Sequence, residues 1–381
     1  MDISNYLKNQ KLNFIKILKD IVSLESPTLN KDLNDLLADY LEKLFLDIGS
    51  VSRIKQEKCG DNLRIEFGKG ENSILILCHM DTVWDKGEII KRPFKIIDNR
   101  MIGPGVYDMK FGIVQAFFCL KTIIENKIAL NSKVVVYINS DEETGSFYSE
   151  EYIKKEALKS KSVIVLEPSE DTGYAKTQRK GMANYSLTCY GKSAHSGAFH
   201  QDGRSAIKEL AKKILEIESL TDYDIGITSN VGIISGGKRV NVVPDEAVAH
   251  MEFRFKTKEQ WEKIAHFMKN LKPVVPDIKL KVTLDMEKPP LEKTKENQWL
   301  YKQVQKASAN IGIPMGEISA GGLSDGNATS YLGIPTIDGM GAIGMNSHSV
   351  DEYVRADKIT ERIYLLLATL KEIDKDLNNI V

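Results

Sequence analysis

Apolar residues recur at helical spacing over 10–48, at Phe14, Ile15, Leu18, Ile21 and Val22 and again at Leu36, Leu37, Leu41 and Leu44, and predict a helical region. Unbroken apolar runs then occupy 74–78 (ILILC), 133–139 (KVVVYIN) and 162–166 (SVIVL). Helices are expected between them at 111–127 and 148–159. Fully apolar strands alternating with helices predict an α/β sheet covered on both faces. Each of the three runs is followed by groups able to do chemistry: His79-Met80-Asp81, Asp141-Glu142-Glu143 and Glu167-Pro168. In open α/β sheets the carboxyl ends of the strands are where ligand sites collect.

The texture changes near 178. Residues 183–190 (ANYSLTCY) and 247–255 (AVAHMEFRF) alternate like half-exposed strands, as does 278–284, and 225–234 is strand-like. The segments 206–217 and 258–270 read as amphipathic helices. This order predicts an α+β unit inserted into the first fold, with Pro289-Pro290 marking the return. Helices at 296–311 and 356–376, with a Gly-rich segment between them, complete the chain. The expected division is therefore 1–177, 178–288 and 289–381.

Charge narrows the function classes. Lys+Arg 52 against Asp+Glu 53 leaves a formal net charge of -1, so there is no overall basic field to hold nucleic acid or an anionic membrane. No apolar run approaches the ~18 residues of a membrane span, and the first residues lack the basic-then-apolar pattern of a secretory signal. Cys59, Cys78, Cys119 and Cys189 are widely separated and form no CxxC, as expected of reduced, buried thiols in a cytoplasmic protein.

The acidic and imidazole groups are ambiguous one at a time. His79 with Asp81 reads either as a buried histidine held by a carboxylate or as a metal ligand with its supporting partner. Asp108, in GPGVYDMK, either caps the following helix or bridges two cations. Glu142 and Glu143 form either a solvated acidic turn or a pair in which one ligates and the other handles a proton. Glu167 is an odd carboxylate to leave without a partner after an apolar strand, and His348, in GMNSHS, is either a loop histidine or a ligand. As a set, two imidazoles and three carboxylates with a spare Glu are what a two-metal hydrolytic site requires.

The motifs HMDTVWDKG, RPF, MIGPGVYDMKFG, NSDEETGSF, VLEPS, GKSAHSG, NVVPDEA, GGLSDGN and MNSHS occur in this order. In that series the chain resembles the dinuclear zinc metallopeptidase family of aminoacylase, succinyl-diaminopimelate desuccinylase and the tripeptidases, with its strongest likeness to the folate-cleaving glutamate carboxypeptidases. The resemblance implies a zinc-exopeptidase-type mixed sheet sandwiched by helices, with 178–288 as an inserted lid through which two chains form a homodimer. It implies two zinc ions per chain, for which cobalt or manganese could substitute. His79, Asp108 and Glu167 would hold one, and Asp108, Glu143 and His348 the other, with a cis peptide after the bridging Asp108. Glu142 would be the general base and then acid, and Asp81 would orient His79. His195 would stabilise the oxyanion in the partner's site, while Asn241, Arg254, Lys288, Gly321 and Gly322 would meet the substrate. One departure stands out: Lys288 occupies a position where the glutamate-specific relatives carry a basic residue before Pro, and it lacks the two-pronged fork of an arginine.

The function expected from this is hydrolysis of a peptide or N-acyl amide bond next to a free carboxylate, of the glutamate carboxypeptidase kind. An N-acyl-amino-acid deacylase or dipeptidase is the rival within the family, and a non-catalytic binding protein on the same fold the rival outside it.

Overall fold

The structure is a computed structural model, and it describes residues 2–378. Two compact units divide the chain: Met1–Thr177 with Lys293–Ser319 and Ser324–Val381, and Gln178–Glu292 with Ala320–Leu323. The return to the first unit thus falls at 292/293, four residues beyond the Pro289-Pro290 signal. Residues 320–323 join the second unit because Lys180 N donates to Ala320 O (3.1 Å) and Arg179 Nη1 to Leu323 O (3.0 Å).

The first unit is a mixed α/β layer structure. Its six-stranded sheet has the order Ser50–Ile54, Asn62–Phe67, Lys133–Asn139, Ser73–His79, Ser162–Val165, Thr336–Ile337. The last four strands are mutually parallel and the first two antiparallel. Side chains on successive residues of a strand point to opposite faces, and both faces here are dry. Ile74, Ile76 and Cys78 enter a large core with Phe14, Leu18, Phe111 and Ile363, while Leu75 and Leu77 pack with Tyr137, Ile153 and Ala157 on the other side. Burying each such aliphatic side chain contributes about 1.5–3 kcal/mol, which makes the strand ends rigid anchors.

Several features differ from the sequence expectation, and the strands Ser50–Ile54 and Asn62–Phe67 and the helix Asp325–Tyr331 have no counterpart in it. The helical region over 10–48 is two helices, Ile3–Ser23 and Lys31–Phe45. Pro27 interrupts the pattern, and the Asn30 side chain restarts it by capping Leu33 N (3.2 Å). A separate small sheet, ordered Gly344–Met345, Tyr353–Arg355, Arg100–Ile102, Lys95–Ile97, has no counterpart in the pattern, because strands of two or three residues carry no readable period.

The second unit is one antiparallel sheet, ordered Thr228–Gly236, Glu246–Phe255, Gly181–Tyr190, Lys279–Lys288. Helices Ala206–Glu218 and Lys258–Lys269 share its core, with Leu210, Ile217, Ile264 and Met268 packed against Leu187, Ala249 and Phe253. Among the described residues no helix is long and apolar enough to cross a membrane. All four cysteines are free and buried.

Candidate metal centre

His79 is the last residue of its strand, paired with Asn139 on the neighbouring one, so His79 and the turn after Asn139 emerge side by side. Asp81 then does two jobs. Its main-chain O lies 3.1 Å and its Oδ1 3.3 Å from His79 Nδ1, which leaves the Nε2 lone pair turned inward, free to ligate. The same carboxylate accepts from Glu142 N (3.2 Å) on Oδ1, and from Glu143 N (3.2 Å) and Thr28 Oγ1 (2.9 Å) on Oδ2.

Asp108 projects from a turn that only glycine permits. Gly105 has φ +69°, and a Cβ there would lie 2.4 Å from Thr82 Cγ2. The Asp108–Met109 peptide is cis. Asp108 Oδ1 faces His79 Nε2 at 3.3 Å while Oδ2 faces His348 Nε2 at 3.4 Å, so its two oxygens address two different imidazoles. Glu167 Oε1 lies 3.3 Å and Glu142 Oε2 4.0 Å from His79 Nε2, and Glu143 Oε2 lies 3.0 Å from His348 Nε2. Donor atoms of His79, Glu142 and Glu167 fall within 4.8 Å of one another, as do those of His79, Asp108 and Glu143. His348 belongs to neither compact triplet; it sits at φ +60° in the exposed loop between the strands Gly344–Met345 and Tyr353–Arg355, and its side chain is 53% accessible.

The electrostatics are those of a cation site. Burial drives Glu142 well above its ordinary pKa, with Glu167, Asp325 and Glu143 adding to the effect against His79, and burial pushes Glu143 up to about 7 against the pull of His348. Burial also opposes ionisation of Asp108, but His348 and His79 hold its carboxyl well below the usual range. His348 is pushed up to about 11 by its hydrogen bonds to Asp108 and Glu143. Glu143 Oε1 is buried with no hydrogen-bond partner, a state that a cation satisfies. Two donors each about 2.1 Å from a tetrahedral ion stand about 3.4 Å apart, close to the 3.0–3.4 Å separations found here. Carboxylate and imidazole donors suit zinc, and also cobalt or manganese.

The remaining sequence candidates lie in the second unit. His195 Nδ1 accepts from Gly197 N and Ala198 N, both at 3.1 Å, so the ring proton resides on Nε2. Asn241 is beside it, its carbonyl accepting from Ser196 N (3.0 Å). Arg254 and Lys288 both stand opposite Met182, on the strands flanking Gly181–Tyr190, which puts them at the same end of the sheet. Arg254 is engaged there: its Nε and Nη2 donate to the Glu252 carboxylate at 2.7 and 3.0 Å. Gly321 and Gly322 are exposed, with Gly322 O accepting from Arg179 Nη1 (3.3 Å).

Comparison with known proteins places this arrangement. The family model described as "Peptidase family M20/M25/M40" matches residues 75–372. The chain belongs to that peptidase family. Carboxypeptidase G2 of Pseudomonas sp. (strain RS-16) is 28% identical over 367 residues, covering 92% of this chain and 87% of the relative. A succinyl-diaminopimelate desuccinylase of Rickettsia rickettsii is 28% identical over 278 residues, 66% of this chain and 71% of its own. Among solved structures, a tripeptidase from Staphylococcus aureus matches with TM-score 0.79 at 22% identity, over 96% of this chain and 99% of its own, a likeness of fold. As an M20 peptidase the chain is a hydrolase of a metal-dependent family.

Three polar residues of the centre escaped the sequence reading of this M20 chain. Asp325 is buried and accepts from Asn139 Nδ2 (3.0 Å) and Ser146 Oγ, bracing the turn that carries Glu142 and Glu143. Glu352 is buried four residues after His348 and accepts from Val106 N (3.0 Å); burial and the Asp108 charge push it up to about 8. Lys110 is buried behind Asp108 and donates to Leu24 O (2.8 Å). Asp325 had a signal, since GGLSDGN is among the ordered motifs; Glu352, in a plain acidic stretch, had none.

Proposed function

We propose that this M20 peptidase holds two zinc ions, for which cobalt or manganese could substitute, and hydrolyses the amide bond next to a free carboxylate in a small peptide or N-acyl amino acid. The observation that carries this reading is the division of Asp108, one oxygen toward His79 and the other toward His348, with Glu142 beside His79. His79, Asp108 and Glu167 would hold one ion and Asp108, Glu143 and His348 the other. When bound, such ions acidify a water and polarise the scissile carbonyl.

Glu142 is assigned the proton work. Its backbone is pinned by Asp81 and burial raises its proton affinity; as the carboxylate beside bound cations it would take the water's proton and give it to the leaving nitrogen. Asp81 fixes the tautomer of His79. His195, with its proton on Nε2, donates to the developing oxyanion, with Asn241 alongside. Arg254 and Lys288 are assigned to substrate carboxylates, Arg254 by exchanging Glu252 for the ligand, and Gly321 and Gly322 offer backbone to the substrate.

A homodimer formed through the second unit is part of the same reading. The edge strand Thr228–Gly236 carries no charge and exposes Ile233 and Ile234, whereas the opposite edge, Lys279–Lys288, carries Lys279, Lys281, Asp285 and Glu287. Charged edges resist pairing and uncharged apolar ones invite it. Four free buried thiols suit a cytoplasmic setting.

Glutamate carboxypeptidase-like activity leads, on the likeness to carboxypeptidase G2. The engagement of Arg254 by Glu252 and the presence of lysine at 288 favour an N-acyl-amino-acid deacylase or dipeptidase as the second reading. The test is a panel of N-acyl and C-terminal amino acids assayed on zinc-loaded protein. Preference for C-terminal glutamate supports the first reading, preference for neutral amino acids the second. No hydrolysis anywhere in the panel would remove both.

A further inference from the structure

The search for groups with an unassigned task leads to Glu352, a carboxylate only 1% exposed. Its Oε1 accepts from Val106 N (3.0 Å), at the start of the turn that carries Asp108; that N–H also points at Gly103 O (3.1 Å). Its Oε2 accepts from the Trp84 indole Nε1 (3.4 Å), in the segment leaving Asp81. Glu352 itself closes the loop that carries His348, with its backbone N donating to Ser349 O (3.0 Å). The Trp84 ring is covered by Arg92, whose guanidinium carbon lies 3.9 Å from the ring centroid and whose Nη1 donates to Val350 O (3.1 Å), inside that same loop. One buried carboxylate therefore ties together the chain segments bearing His79, Asp108 and His348.

Burying a carboxylate is costly unless its oxygens are used, and here both are spent on the geometry of other segments. His348 is the candidate ligand in most need of such a brace. It is the most exposed of the five, and its loop runs through left-handed backbone at Asn346 and His348. We propose that Glu352 is a positioning residue for the ion at Asp108, Glu143 and His348, acting with Trp84 and Arg92 to hold the His348 loop against the Asp108 turn. This rests on the two-metal reading given above.

The test uses full-length apo protein titrated with zinc against a chromophoric chelator, with melting temperature and circular dichroism recorded alongside. The wild type reports on the two-metal reading, and His348→Ala identifies which of the two ions belongs to that ligand set. In Glu352→Ala that ion should bind about 10–100-fold more weakly, the usual effect of losing a partner behind a ligand, while the other ion keeps its affinity. Glu352→Gln should lose less, because its amide oxygen still accepts from Val106 N. Trp84→Phe, which deletes the indole donor and keeps a smaller ring under Arg92, should weaken the same ion. A purely structural role would lower the melting temperature and leave the ratio of the two affinities unchanged; that result in folded Glu352→Ala overturns the proposal. If Glu352→Ala fails to fold, wild-type affinity for that ion in both Glu352→Gln and Trp84→Phe overturns it instead. A wild-type chain that takes up fewer than two ions overturns the two-metal reading, and this proposal with it.

Discussion

Asp81→Asn tests the centre most sharply, because all four acceptor contacts of the carboxylate are occupied. Oδ1 serves His79 Nδ1 and Glu142 N, while Oδ2 serves Thr28 Oγ1 and Glu143 N. Asparagine keeps one acceptor oxygen and replaces the other with a donor. If the amide nitrogen faced His79, the Nδ1 proton would keep only the main-chain O of residue 81 (3.1 Å) as acceptor, and the amide would also oppose Glu142 N. If it faces the other way, the Thr28 hydroxyl turns round and accepts, and only Glu143 N loses its partner. The second orientation is the cheaper, so His79 keeps its ligand tautomer and Glu143 slackens. A buried N–H left facing a donor costs about 1–3 kcal/mol, or roughly a tenfold to hundredfold weakening if it falls on metal binding. Zinc titration of apo Asp81→Asn should therefore show that loss in the ion shared by Glu143 and His348, with the ion at His79 and Glu167 much less affected. Loss confined to the His79 ion would refute this choice of orientation. Two unchanged affinities would refute the claim that Asp81 positions Glu143 at all.

Glu142→Gln removes the proton shuttle and no ligand, so turnover should fall by roughly 10²–10⁴ with metal content by elemental analysis unchanged; activity above about a tenth of wild type would exclude Glu142 as the base. His195→Ala should lower turnover by about 10²–10³, the usual worth of an oxyanion donor, with zinc occupancy intact. Mixed under conditions of confirmed subunit exchange, His195→Ala and Glu142→Gln should restore activity, since one site of the heterodimer has both groups sound; no recovery would confine His195 to its own chain. Zinc affinity should rise with pH across about 6–8 and beyond, because Glu143, raised to about 7, and His348, raised to about 11, must both lose a proton before they can ligate. A flat affinity between pH 6 and 8, read by competition with a chelator of known proton dependence, would contradict that assignment.

Much of the first unit was legible because its strands are dry on both faces. Unbroken apolar runs mark such strands, and whatever polar residue ends them stands out, as His79, the Asp141–Glu143 run and Glu167 do. The second unit was legible for the opposite reason, since half-exposed strands such as Gly181–Tyr190 alternate. What stayed hidden depends on tertiary context. The short strands around Arg100–Ile102 and Tyr353–Arg355 exist only through their pairing. Glu352 looks like any surface acid until the fold buries it, and the engagement of Arg254 by Glu252 is a side-chain choice that a strand pattern does not specify. The grouping of 320–323 with the second unit comes from Arg179 and Lys180 capturing that backbone across more than a hundred residues of sequence.

Four of the five candidate ligands have largely buried side chains and are rooted at a strand terminus, a glycine-built turn, and just past two further strand ends. The fifth, His348, hangs from a solvent-facing loop. On the two-metal reading this asymmetry predicts a loading order. An ion at His79 and Glu167 would enter a buried cradle, whereas its neighbour would depend on the solvent-facing loop that carries His348. When zinc is scarce, the chain should therefore accumulate with one ion aboard, folded but half-equipped, and a brief rise in free metal would suffice to complete it. Metal supply would then act on this peptidase as a throttle on turnover, with the abundance of the protein unchanged.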